Sequence, residues 1–125
     1  MNAHDLALKA YGAPGGPIRS ARDTEHAAFS KITQRICKAR DANPFNFAEL
    51  AEALYDNQRL WTLVAMDVAD EGNGLSAELR GRLFYLAQFS TNQTKLVLGQ
   101  KGSVDSIIEV NTAIMRGLRP IRDAA

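Results

Sequence analysis

Residues 46–69 read NFAELAEALYDNQRLWTLVAMDVA. Phe47, Leu50, Leu54, Trp61, Val64 and Val68 recur at three- and four-residue steps, and Leu60 and Leu63 broaden the same face. This is the period of an amphipathic helix. Asn46, with Glu49 three places on, has the form of an N-cap and its capping-box partner. The stretch predicts one long helix to about Ala69, and so wide an apolar face needs neighbouring elements to cover it.

The flanking sequence supplies those neighbours. Upstream, Ala28, Phe29, Ile32, Ile36 and Ala39 keep the same period, Ser20 and Asp23 have capping-box spacing, and Pro44 stops the run, which predicts a helix over about 21–41. Downstream, Asp70, Gly72, Asn73 and Gly74 form a turn. Ser76 then caps a third helix with Leu79, Leu83, Leu86, Ser90 and Val97 on one stripe, widened by Phe84 and Phe89. Gly99 and Gly102 close it, and Ser103 caps a fourth helix carrying Val104, Ile107, Ile108, Asn111, Met115 and Leu118. No run alternates as a half-buried strand does. The expected fold is all-α: a compact bundle of four main helices over 18–118 in a single domain of 1–125. Residues 1–11 form a short accessory helix, residues 12–17 a Gly/Pro linker and 119–125 a tail. Ten residues are marginal as a free helix, so 1–11 should be mobile or docked differently in free and bound states.

Composition narrows the function. The 125 residues are 46% hydrophobic and 23% charged, with 15 Lys+Arg against 14 Asp+Glu. That balance supports a folded domain and disfavours a strong general attraction to nucleic acid. No apolar run is long enough to span a bilayer, no signal-peptide pattern is expected, and Cys37 stands alone, so the expected location is cytoplasmic. Charge is nonetheless uneven: residues 18–42 carry six basic and three acidic side chains, and residues 47–75 one basic and six acidic. The second helix should present an acidic surface beside a basic neighbour.

Asp67, Gly72 and Glu78 stand at the first, sixth and twelfth places of a calcium loop, but Ala69 occupies the third ligand place and the match fails. With His4 and His26 the only histidines, no metal set and no nucleophile-base pair can be assembled, so no cofactor and no catalysis are expected. Arg116, Arg119 and Arg122 could meet phosphates, yet no aromatic residue follows Phe89 to stack bases. The densest chemistry lies in residues 53–69, where Asp56, Asn57 and Arg59 adjoin the only tryptophan, Trp61. Polar groups beside a large ring are what interfaces concentrate, and also what a helix core holds by hydrogen bonds.

Three stretches, LYDNQRLWT at 54–62, FYLAQF at 84–89 and VNTAIMRGL at 110–118, together with KAY at 9–11, SARDTE at 20–25 and GLSAELR at 74–80, resemble the FlaF family of flagellar biosynthesis regulators. The resemblance implies a cytoplasmic, non-enzymatic protein that controls flagellin synthesis and secretion as a binding module or export chaperone for the unassembled flagellin monomer. An FlbT-like regulator is implied as a second partner, and no membrane is. The alternative is a post-transcriptional regulator that reaches flagellin mRNA directly or through the FlbT-like partner, direct contact being the less favoured route. Asn57, Arg59, Leu60 and Trp61 are the expected partner-facing cluster, with Asn111 and Met115 as a second group.

Overall fold

The computed structural model describes the backbone of residues 16–117 and side chains from Thr24 onward. Among the described residues four helices follow one another, α1 (Gly16–Asp41), α2 (Phe47–Ala69), α3 (Ala77–Leu98) and α4 (Asp105–Gly117), with a 3-10 turn (Glu71–Asn73) after α2. Each helix packs on the next, and α4 returns against α1. Neighbours run antiparallel. Arg35 of α1 meets Asp56 while Phe29 meets Trp61, and Arg40 meets Asp105 while Thr33 meets Asn111. The all-α bundle expected from the apolar period is therefore present.

Local chemistry sets most of the boundaries. The Asn46 side chain accepts from the Ala48 and Glu49 amides and starts α2. Ser76 Oγ accepts from the Leu79 amide and starts α3, and Ser103 Oγ accepts from the Asp105 amide just ahead of α4. Asp70 accepts from the Gly72 amide in the turn, which ends at Gly74 with φ 93°, a left-handed angle that glycine adopts without a Cβ penalty. The Asn43–Pro44 bond beyond α1 is cis.

The start of α1 differs from expectation. It begins at Gly16, so the last two residues of the expected 12–17 linker are helical and Ser20 lies inside the helix rather than at its cap. Pro17 explains this: in a first turn its fixed φ is already helical and its missing N–H had no partner to lose. The accessory helix 1–11, the rest of the linker and the tail 119–125 lie outside the described residues.

Two apolar clusters fill the bundle. Ile36, Ala39, Leu50, Ala53, Leu54, Val97, Val104 and Ile107 occupy the end near the α1–α2 and α3–α4 connections. Phe29, Leu60, Trp61 and Ala87 occupy the other, with the Phe29 and Trp61 rings edge to face at 5.1 Å. Phe47 and Leu79, counted in the apolar stripes, are instead 40% and 41% exposed, each sitting in the first turn of its helix. Helix α4 is also short: its 13 residues rise about 20 Å against about 33 Å for the 22 residues of α3.

Candidate functional site

Four polar residues lie at the same level as Trp61, one or more from every helix. Asn57, Ser90 and Asn111 are 0% exposed and Thr33 7%. The Trp61 indole N–H donates to Asn111 Oδ1 at 2.9 Å. Asn111 Nδ2 donates to Thr33 Oγ1 at 3.0 Å and to Asn57 Oδ1 at 2.7 Å. Asn57 Nδ2 in turn reaches Ser90 Oγ at 3.4 Å. Both hydrogens of the Asn111 amide and its oxygen are thus spent inside the bundle. A buried amide left unpaired costs about 1 to 3 kcal/mol, so the layer penalises any shift in the stagger of the helices.

This placement corrects the expected partner-facing cluster. Asn57, Leu60, Trp61 and Asn111 are interior, Leu60 being 8% exposed and the other three fully covered. The physical reason is mutual satisfaction: the polar groups of Asn57, Trp61 and Asn111 are consumed by one another, and the indole packs on Phe29. Met115 is half-buried against the same cluster. Of the first group only Arg59 is exposed, its guanidinium 6.0 Å from the centre of the Tyr55 ring. A signal for the layer was present in the sequence, since Ser90 and Asn111 are polar residues at positions of an apolar stripe.

The available surface lies beside that layer. A groove of about 270 Å³ runs between α2 and α3, floored by Ala65, Ala69 and Ala87 and walled by Met66 and Phe84. Met66 is 57% exposed and Phe84 41%, and Tyr55 and Tyr85 are also exposed on the same two helices. Sequence reasoning assigned Phe84 to the interior. A second hollow of about 350 Å³ lies at the opposite end, among Phe45, Phe47, Val104 and Arg40.

The model of the family described as flagellar protein FlaF matches residues 7–118. The chain belongs to the FlaF family. No curated protein and no solved structure matches it. The stretches that carried the resemblance meet in the bundle: LYDNQRLWT brings Asn57, Gln58 and Trp61, FYLAQF brings Phe84 and Ala87, and VNTAIMRGL brings Asn111. They supply Asn57, Trp61 and Asn111 of the layer, which Thr33 and Ser90 complete, and much of the groove.

Electrostatics in this FlaF-family chain are local. Arg35 pairs with Asp56 at 2.6 Å. Arg40 bonds Asp41 at 2.8 Å and Asp105 at 3.0 Å, tying the end of α1 to the start of α4. The hydrogen bonds to Asp41 and then Asp105 hold the Arg40 guanidinium charged well beyond its ordinary range, and the bond from Arg40 lowers the Asp41 carboxyl below its own. Arg35 and Arg40, two of the six basic residues of 18–42, are therefore engaged with carboxylates. Arg116 is exposed, and Arg119 and Arg122 lie outside the described residues. Asn73 Nδ2 donates to Asp67 Oδ2 at 2.9 Å in the turn once compared with a calcium loop. Among the described residues no group of three or more His, Cys, Asp or Glu is placed to hold a metal, and no helix is long and apolar enough to cross a membrane.

Proposed function

We propose that this FlaF-family chain is a cytoplasmic, non-enzymatic binding module for unassembled flagellin, acting as an export chaperone and through it on flagellin synthesis and secretion. The observation that carries the reading is the apolar groove between α2 and α3 of a flagellar-family bundle, with the large side chains of Met66 and Phe84 left open on its walls. Exposed apolar surface of this kind is costly in a free domain and serves helix-in-groove binding, in which an amphipathic segment lays its apolar face between two helices. The buried amide layer adds rigidity, since a groove held in one register binds without first ordering itself. An FlbT-like regulator would connect the module to flagellin mRNA.

Purified monomeric flagellin is the test ligand. Calorimetry and size exclusion should give a complex at micromolar concentration. No complex under those conditions refutes the reading. Retention of a flagellin leader RNA by this chain alone at physiological salt would move the assignment to direct RNA binding.

A further inference from the structure

Resting on the flagellin reading, we infer that the groove between α2 and α3 seats one foreign amphipathic helix whose flanks carry Ser, Thr, Asn or Gln in place of charges. The shape comes first. Ala65, Ala69 and Ala87 keep the floor low, while Met66 and Phe84 rise on either side. From Gln58 to Ala69 the groove follows α2 for about 17 Å, the length of roughly three helical turns. Methionine adapts its unbranched side chain to the surface it meets. A helix with a narrow apolar ridge fits this slot.

The rim determines the flanks. None of the residues lining the groove is charged, although 23% of the chain is. Its polar groups are amides and hydroxyls: Gln58, Thr62, Gln88 and Thr91. A charged side chain pressed against them gives up hydration with no counter-charge in return. An uncharged hydroxyl or amide loses less and can pair.

Gln58 also lacks a donor. Its Nε2 donates to Thr91 Oγ1 at 2.5 Å, and that hydroxyl donates to the Ala87 carbonyl at 3.0 Å. With the Thr91 hydroxyl directed at the Ala87 carbonyl, the Gln58 amide turns its nitrogen toward Thr91. Gln58 Oε1 is left covered and without a hydrogen-bond partner. A buried acceptor in that state is paired in most proteins. A hydroxyl or amide N–H from an incoming helix, met by a small rotation of the Gln58 amide, would complete it.

The test uses the full chain and monomeric flagellin. Met66→Glu and Phe84→Glu alter exposed side chains, and thermal melts confirm that they fold. Leu98→Glu, 41% exposed at the far end of α3, is the control. Wild type and Leu98→Glu should bind alike, with both groove variants weaker by about tenfold or more. Gln58→Leu should weaken binding several-fold without lowering the melting temperature, an effect that a purely internal role for Gln58 would not produce. In a Cys37→Ser background, a photocrosslinker on Met66→Cys should capture a flagellin helix whose neighbouring flanks are uncharged polar residues.

Groove variants that bind like wild type overturn the inference and leave the flagellin reading standing. Wild-type protein that binds no flagellin overturns both. A crosslink to a helix with charged flanks or to residues 1–15 of the same chain refutes the proposed occupant. So does a dimer that Met66→Glu converts to monomer.

Discussion

Asn111→Leu tests the buried layer most directly. Leucine has the same number and branching of side-chain heavy atoms as asparagine and is the larger of the two, so the change removes hydrogen bonds without opening a cavity. The Trp61 indole N–H loses its acceptor and Asn57 Oδ1 loses its donor, both at residues with no exposure. Thr33 also loses a donor, but its hydroxyl can rotate and the residue is slightly exposed. Two orphaned groups at about 1 to 3 kcal/mol each, less what the added apolar burial returns, leave a net loss of about 2 to 4 kcal/mol. That is a large fraction of the roughly 5 to 15 kcal/mol available to a domain of this kind. Equilibrium urea unfolding, followed by circular dichroism and by the fluorescence of the single tryptophan, reads the loss. The double variant Asn111→Leu/Trp61→Phe removes the orphaned N–H and should be more stable than additivity requires by about 1 to 2 kcal/mol. A single-variant loss below about 1 kcal/mol, or a strictly additive double variant, would refute the argument that these groups depend on one another.

Three further outcomes follow from the same geometry. Gly74→Ala should cost about 1 kcal/mol, entirely from the left-handed backbone angle, because a Cβ there meets no atom within 4 Å; a thermal melt unchanged from wild type would contradict this. Asp56→Asn should cost under about 1 kcal/mol, since the Arg35 and Asp56 side chains are 38% and 34% exposed and solvent screens the pair, and a loss of several kcal/mol would show that the pair has a larger structural part. The Arg40 cluster should leave stability flat from mildly acidic to mildly alkaline pH. The folded-state carboxyl of Asp41 is lowered, so its contribution is present above the unfolded value and is lost as pH falls through the folded one, while the raised Arg40 contributes below its unfolded value and is lost only in extreme alkali. Urea midpoints of wild type and Asp41→Asn should therefore converge only in strong acid, and convergence near neutrality would be inconsistent with the assignment.

The sequence by itself determined the helices and most of their ends. An apolar residue every third or fourth place, Asn46 and Ser76 before the runs and glycines after them act within a few residues, and a local rule reads them without knowledge of the fold. The start of α1 was misplaced because glycine and proline are breakers inside a helix yet acceptable in its first turn, and a linear reading weighed only the first property. The antiparallel bundle was legible for the same reason, since short connections leave few ways to pair four amphipathic faces. The family was legible too, from the order of three motifs.

Only the tertiary structure decided what the residues in those motifs do. Trp61 beside Asn57 and Arg59 looks alike in sequence as an exposed anchor or a buried plug. The answer depends on how α4 is rotated and staggered, which brings Asn111 Oδ1 to 2.9 Å from the indole nitrogen and closes the pair off from a partner. Phe84 and Met66 show the converse. Phe84 belongs to the widened apolar stripe of α3 and its spacing suits a core, but among the described residues no helix lies over the outer side of the α2–α3 pair, so both side chains remain open. Periodicity reports that a face is apolar, whereas whether it is covered depends on where the other helices lie, information distributed across residues far apart in the chain.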